Sequence, residues 1–300
     1  MSKKIELQLF AENVAARSYQ KDFKELLQAV FKANSYFGDF FGGGIEALDG
    51  VQHNETAFYV KTSDIPVVVG GYSEDANVAM GTGTGKTSRF GERTEIIYTD
   101  TPANYSWGWN FHEGIDRHTV NNDLEAAVAD RLELQAVAKT RLFNSKHAAF
   151  ISASAAKTEA LASYESDDVL TLFNKLHAYF VNIEAVGTKK AKVTPALYNA
   201  IVDHPLATSG KASKANIDEN EVLKFKGFEI EEVPESMFKS GECCYAYVAG
   251  VAKAFTGINT ARTIESEDFD GKALQGAGKA GEYILPANKA AVCKVTVAGA

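Results

Sequence analysis

The chain is poor in the features that mark secreted, membrane-spanning and nucleic-acid-binding proteins. It has only three cysteines in 300 residues, two of them adjacent, which is not a disulfide framework, so we expect buried free thiols in a reducing compartment. It lacks the run of ~18 apolar residues that a membrane helix needs, and its start, MSKKIELQLFAEN, is too short and too polar for a signal peptide. The net charge of −8 gives no general attraction to nucleic acid. These absences predict a cytoplasmic product with no membrane partner.

The usual catalytic and metal-binding motifs are lacking as well. His112 and His118 are six residues apart, not at the four-residue spacing that directs two histidines to one zinc ion. The acidic stretch around Asp268 and Gly271 resembles a calcium loop, but its twelfth position is Ala277, where an acid is needed. No Gly-x-Ser-x-Gly sequence is present, and the cysteine pair lies in a run typical of a buried strand. We therefore predict no catalytic residue, no metal and no cofactor, and a solvated acidic loop.

One glycine-rich stretch raises the question of nucleotide binding. Residues 80–93, MGTGTGKTSRFGER, carry Gly-Lys-Thr at 85–87, as a phosphate-binding loop does. The first glycine of that motif falls on Met80, and the stretch leads into the strand-like TEIIYT, so no helix N-terminus follows to bind phosphate. A nucleotide-binding enzyme using the loop at 81–87 therefore stays a remote alternative, which ATP binding by the wild type and by Lys86→Ala would test.

A long β-hairpin is indicated in the first half of the chain. The segment 56–69 has the apolar, β-branched character of a strand, and TEIIYT at 94–99 predicts its partner. The polar, glycine-rich stretch between them predicts a long and functional hairpin tip. The next strand signal is the clearest in the chain, because four aromatic residues alternate strictly in NYSWGWNF at 104–111.

Helices are predicted on either side of this hairpin. Apolar spacing predicts an amphipathic helix over 18–37. A second helical pattern, capped at Asn122 and uninterrupted by glycine or proline, predicts a helix over 118–150, about 48 Å long at ~1.5 Å per residue. A third helix is expected from Ser166 to the glycine at Gly187. The second helix is long enough to act as a spine.

Short strands alternate with one helix in the last third. KVTPALYNAIVD predicts a strand and then a helix starting at Pro195, and three strand-like stretches follow, FKGFEIEEVPESM, CCYAYVAGVAKAF and AAVCKVTVAG. The order of arm, hairpin, spine helix and these stretches, ending in GEYILPANKAAVCKV, resembles the major capsid proteins of tailed bacteriophages over essentially the whole chain.

The resemblance implies an α+β fold, the tailed-phage major capsid protein fold. It consists of an N-arm, an E-loop β-hairpin, a P-domain with a long spine helix, and an A-domain. The implied boundaries are 1–50 for the N-arm, 51–111 for the E-loop hairpin, 112–165 for the P-domain with its spine helix, 166–255 for the A-domain, and 256–300 for the end of the A-domain and the returning P-domain strands.

The resemblance also implies a structural function without enzymatic activity. Such a protein self-assembles into hexamers and pentamers of an icosahedral head, which encloses double-stranded DNA without sequence specificity. Scaffold and portal proteins would be further partners. The protein would be made in the host bacterial cytoplasm and end in the virion. An encapsulin-type shell protein of a bacterial compartment has the same fold and stays the alternative, although the long arm and long hairpin favour the phage form.

Five residues are candidates for contacts between subunits. Phe40 and Phe41, in a glycine-rich break, either anchor the arm to a neighbour or pack on their own domain. Lys86, Arg89 and Arg93 lie near the expected hairpin tip and supply polar contacts to a neighbour. In some members of the family an E-loop lysine forms an isopeptide bond with a neighbour's asparagine, which makes Lys86 a candidate. An ordinary exposed lysine is the alternative, because no partner constellation is recognisable.

Overall fold

The computed structural model describes residues 34–43, 45–48, 56–63, 65–75, 89–120, 123–205 and 224–298. The chain divides into two compact units. The described part of the smaller unit is mainly Phe111–Arg141 and Ala261–Gly276, and the larger unit comprises Ser35–Asn110, Leu142–Thr260 and Ala277–Ala300.

A helix of 31 residues, α1 (Leu124–Ser154), is the longest described element. It begins where Asp123 accepts a hydrogen bond from the backbone N–H of Ala126, at 3.4 Å, in the manner of a helix cap. The predicted spine helix is therefore confirmed, but it starts later than 118 because Arg117–Thr119 form a separate 3-10 turn. Asn122, the predicted cap, lies outside the described residues.

Two shorter helices and twelve strands complete the regular elements of the described chain, apart from short 3-10 turns. The other helices are α2 (Ser166–Asn182) and α3 (Pro195–Val202). The strands are β1 (Ile45–Ala47), β2 (Thr56–Thr62), β3 (Thr99–Asn104), β4 (Trp107–Asp116), β5 (Lys157–Leu161), β6 (Lys189–Val193), β7 (Lys224–Phe225), β8 (Phe228–Glu232), β9 (Glu242–Val248), β10 (Ala252–Glu265), β11 (Gly271–Ile284) and β12 (Val292–Val297). They form a six-stranded sheet in the order β5-β12-β9-β6-β8-β7, a four-stranded sheet in the order β1-β10-β11-β4, and the pair β2-β3.

The six-stranded sheet forms the core of the larger unit around β9, which is buried at all seven positions. Its side chains alternate between two clusters, as a strand requires. Cys244 and Ala246 pack with the buried faces of α2 and α3. Tyr245 and Tyr247 pack with Phe37, Phe40 and Phe41 and with the C-terminal part of α1.

The smaller unit has its own small cluster. The first turns of α1 pack through Leu124 and Val128 on Leu274 of β11. Lys272 of β11 forms an ion pair with Glu125 of the helix, which adds a charged contact to this packing.

Two expectations about strands need correction. The second hairpin strand is Thr99–Asn104, not 94–99: pairing with β2 ends at Thr62 opposite Thr99, and Pro66, soon after, has no N–H to continue the ladder. The residue pattern alone did not indicate strand β11, because its glycines lower strand propensity, although the resemblance implies returning strands within 256–300. At Gly278 the missing side chain leaves room for a ring, since a Cβ there would lie 2.7 Å from the indole of Trp109.

Two helix boundaries also differ from the expectation. Helix α2 starts at Ser166 as predicted but ends at Asn182, well before Gly187. Of the helix expected over 18–37, residues 34–37 are described and are not helical, and the remainder lies outside the described residues.

A buried ion cluster fixes the segment 34–43 to the six-stranded sheet. Asp39 lies 3.0 Å from the ammonium of Lys192, which is 1% exposed, and 3.1 Å from that of Lys190. The hydroxyl of Tyr247 donates to the same carboxylate at 2.8 Å. Burial alone raises the pKa of Asp39, but the lysines and the tyrosine outweigh it and hold this pKa below its ordinary value of 3.8.

We expect Asp39→Asn to lower the free energy of unfolding by about 2–3 kcal/mol, because it leaves Lys192 buried beside one fewer carboxylate. The matched control is Asp100→Asn, which removes half of an exposed pair with Lys61 and should change stability by less than about 0.5 kcal/mol. Urea denaturation of both variants measures the difference. Equal effects would show that the cluster does not hold the segment.

The same cluster predicts a dependence on pH. Because the pKa of Asp39 is lower in the folded chain than in the unfolded one, its contribution is present above 3.8 and is lost as pH falls through the lowered value. Between pH 5 and pH 2.5, unfolding free energy should therefore fall less steeply in Asp39→Asn than in the wild type. If the unfolding free energies of the two proteins fell equally steeply with falling pH, Asp39 would not be the source of this dependence.

Candidate interaction site on the hairpin arm

The hairpin arm is the chain from β2 to β3, residues 56–104. At its base the two strands pair antiparallel, with Lys61 opposite Asp100 and Thr62 opposite Thr99. The ring of Phe58 packs edge-on against Phe255 with centroids 5.1 Å apart. The predicted hairpin is thus confirmed, and its base is held by the core of the larger unit.

A buried carboxylate holds the turn that follows the arm. Glu282 of β11 accepts hydrogen bonds from the hydroxyl of Ser106 and from the indole N–H of Trp107, both at 3.0 Å. The Nδ1 atom of His147 on α1 lies 3.0 Å from the same carboxylate. These contacts connect the base of the arm with the long helix and with the four-stranded sheet.

The distal part of the arm exposes an unusual number of large apolar side chains. Residues 65–75 and 91–98 have no strand pairing, and residues 89–90 form a turn. The backbone N–H of Ser73 donates to the carbonyl of Arg89 at 2.9 Å, and Tyr72 and Phe90 contact edge to face. The exposed apolar residues of the arm are Tyr59, Val67, Val68, Val69, Tyr72, Phe90, Ile96, Ile97 and Tyr98.

The four predicted contact residues that the structure describes lie in two separate places, Arg89 and Arg93 on the arm and Phe40 and Phe41 in the core. Arg89 is partly buried, with an Nε atom that has no hydrogen-bond partner among the described residues, and Arg93 is exposed. Lys86 lies outside the described residues. The contact role of these three residues therefore stays a prediction.

Phe40 and Phe41 occupy a different place from the arm. Both are fully buried in their own chain. The ring centroids of Phe40 and Tyr247 are 4.9 Å apart, and those of Phe41 and His147 are 4.5 Å apart. The sequence left two alternatives open for these residues, and in this structure they pack on their own domain. The glycine-rich sequence next to them suggested exposure. In the structure these aromatic rings instead cover the face of β9 that carries Tyr245 and Tyr247.

Sequence reasoning emphasised the polar tip and missed the apolar flanks of the arm. The sequence predicts Val67–Val69 and Ile96–Ile97 as parts of the two strands of the hairpin and gives no indication of their exposure. The sequence does contain a signal for these exposed flanks. Two apolar runs lie on either side of a glycine-rich tip, and Pro66 disfavours continued strand pairing in the first run.

The other reactive side chains in the described residues are placed apart from the arm. Burial raises the pKa of the Cys243 and Cys293 thiols to about 12, and that of Cys244 is raised as well. Thiols with such pKa values carry little thiolate and are poor nucleophiles. His118 lies 3.6 Å from Asp270, and the ring of His112 contacts Gln275.

Two kinds of feature are absent from the described residues. No group of three or more histidine, cysteine, aspartate or glutamate side chains is arranged to hold a metal ion. None of the helices described is both long enough and apolar enough to cross a membrane.

Comparison with known proteins identifies the fold. No protein-family model matches the chain, and no curated protein matches it. The capsid structure of cyanophage P-SCSP1u matches with a TM-score of 0.67 and 12% identity, over 94% of each chain. The mature capsid of bacteriophage PhiM1 matches with a TM-score of 0.67 and 11% identity, over 93% of this chain and 92% of that one. A structure from Mycobacterium phage Che8 matches with a TM-score of 0.63 and 14% identity, over 92% and 96%.

These matches extend over nearly the whole of each chain and confirm the fold that the sequence predicted. The chain has the mixed helix and strand architecture of tailed-phage capsid structures, with a long helix and several sheets. At identities this low the likeness establishes the fold and nothing finer.

The base and the flank of the arm should respond differently to substitution. Phe58→Ala removes the ring contacts at the base and should lower the unfolding free energy by about 1–3 kcal/mol, less than for a fully buried phenylalanine. Val68→Asp, on the exposed flank, should change it by less than about 0.5 kcal/mol. Thermal and urea unfolding of the two variants check this contrast, and a destabilised Val68→Asp would mean that the flank packs on its own chain.

Proposed function

We propose that this protein is a capsid shell subunit whose hairpin arm binds another copy of the same chain. The observation that carries the proposal is the row of large apolar side chains exposed on a chain with the capsid fold. Large contiguous apolar surface on a folded chain marks an interaction site, because water contact with it is unfavourable.

We take the partner to be a second copy because the structures that share this fold are capsid shells, and the arm would then contact a different surface on its neighbour. Head-to-tail contacts of this kind form rings when the rotation from one copy to the next closes, since each copy offers both an arm and a receiving surface. Hexamers and pentamers are such rings, and together they build an icosahedral shell. Arg89 and Arg93, with Lys86, supply polar contacts around the apolar part of the interface.

The finer assignments follow from the proposed shell. The chain is divided into N-arm, E-loop, P-domain and A-domain at the boundaries expected from the sequence. The shell encloses double-stranded DNA without reading its sequence and is completed with scaffold and portal proteins. The protein is made in the cytoplasm of a bacterial host, ends in the virion, and acts through assembly, not through catalysis.

An encapsulin-type compartment shell stays the alternative within the same fold. Nearby genes for a portal and a terminase would support the phage head. A neighbouring cargo protein whose short tail is enclosed by the shell would support the compartment instead.

Negative-stain microscopy of arm variants tests the proposal. The wild type should form uniform shells or hexamer rings, alone or with a scaffold protein. Val67→Asp combined with Val69→Asp should leave a folded protein that does not assemble, because carboxylates cannot enter an apolar interface without a partner. The matched control is Val186→Asp: Val186 is 93% exposed and Val69 91%, but Val186 lies outside the arm.

The control variant should assemble as the wild type does. A wild type that stays monomeric at high concentration and with scaffold would overturn the shell function. Normal assembly of the arm variant would instead refute the role of the arm.

A further inference from the structure

A buried histidine lies between the segment 34–43 and the base of the hairpin arm. The ring of His147, on α1, packs against Phe41 with centroids 4.5 Å apart and against Phe143 with centroids 5.7 Å apart. Its Nδ1 atom lies 3.0 Å from the carboxylate of Glu282 on β11. Two ring contacts and one hydrogen bond therefore fix the position of this imidazole.

Glu282 connects this histidine to the residues that follow the arm. The carboxylate oxygen that faces His147, Oε1, also accepts the indole N–H of Trp107 at 3.0 Å. The other oxygen, Oε2, accepts the hydroxyl of Ser106 at 3.0 Å, and the backbone N–H of Ser106 donates to the carbonyl of Ala280 at 3.0 Å. Because Ser106 and Trp107 come just after the end of the arm in the chain, Glu282 holds the base of the arm through them.

Little water reaches this network, so a lost partner is not replaced by solvent. The side chains of His147 and Glu282 are only 5% and 3% exposed. A buried acceptor that loses its donor costs free energy, and the hydrogen bonds of a buried network strengthen one another. The donors on α1 and at the base of the arm therefore depend on one another through the shared carboxylate.

We propose that His147 and Glu282 couple the segment 34–43 to the hairpin arm. While Phe41 packs on the imidazole, the ring is held in the orientation in which Nδ1 is directed at Glu282. When Phe41 is displaced, the ring gains freedom to turn, and a hydrogen bond weakens steeply as its angle departs from linear. The carboxylate then holds Ser106 and Trp107 less firmly, and the base of the arm opens more often.

The coupling lies within one chain, so it goes beyond the proposed function and does not depend on what the arm binds. All of the residues involved belong to the larger unit. Contiguous packed rings and hydrogen bonds of this kind transmit a displacement from one element to another. An event that moves the segment 34–43 therefore also changes how freely the arm moves.

Hydrogen exchange of the whole chain, followed by mass spectrometry, tests the coupling. The measured quantity is the exchange rate of residues 99–107 divided by that of α2, which corrects for opening of the entire fold. Phe41→Leu removes the ring that packs on His147 and keeps an apolar side chain. It should raise this ratio roughly three- to tenfold, the size of an ordinary coupling between residues in contact.

The matched control is Phe228→Leu. Phe228 is as fully buried as Phe41, but its ring packs on Phe173 and Phe180 of α2. The control should leave the ratio unchanged or lower it, because it loosens α2 and not the network around Glu282. An unchanged ratio in Phe41→Leu, or an equal rise in the control, would overturn the proposal.

A double-variant cycle identifies the route of the coupling. His147→Phe keeps a ring beside Phe41 and Phe143 but has no N–H to donate to Glu282. It should raise the exchange ratio by itself, and Phe41→Leu added to it should change the ratio further by less than roughly twofold. If Phe41→Leu had the same effect in His147→Phe as in the wild type, the coupling would not pass through the histidine, and the proposal would be refuted.

Trp107→Phe provides the same test from the other end of the network. It removes the indole donor to Glu282 and keeps an aromatic ring against Phe143. The exchange ratio should rise, and the further effect of Phe41→Leu should again be reduced. Fully independent effects of Trp107→Phe and Phe41→Leu would contradict the coupling, even where His147→Phe fails to fold.

Discussion

The structure of the larger unit depends on the burial of one strand from both sides. Strand β9 has no exposed position, so the sheet around it cannot face water on either side. Helices α2 and α3 cover one side. The other side is covered by the aromatic segment Phe37–Phe41 and by the last turns of α1. This requirement fixes where the long helix ends, and Glu282 then connects the helix to the base of the arm.

The sequence predicted the elements whose cause is local. The apolar run of β9, the alternating aromatics of β4 and the uninterrupted pattern of α1 each carry their own periodicity. The residue pattern did not indicate β11, because its glycines are explained only by the rings that other strands place against them. One such ring is that of Trp109, which leaves no room for a side chain at Gly278. The pairing of Asp39 with Lys192 was also beyond local patterns, since only the folded sheet brings these residues together.

The edges of the sheets differ in how well they resist pairing with a strand of another chain. The outer strands of the six-stranded sheet are poor templates, because β7 has two residues and β5 carries a Lys157–Glu159 ion pair. The outer part of β10 has neither protection, being long, regular and uncovered among the described residues. The two protected edges therefore disfavour association of copies through the six-stranded sheet.

The exposed apolar residues of the arm also favour aggregation, because the valine and isoleucine runs of different copies can pair as strands. Pro66 and the glycines at 70 and 71 limit that pairing, since proline cannot donate to a ladder and glycine weakens a strand. Glu95 acts in the same way by placing a charge beside Ile96 and Ile97. Residues 65–75 and 91–98 consequently stay without strand pairing beyond the paired base of the arm, and in the proposed function their backbone groups are available to a neighbouring copy.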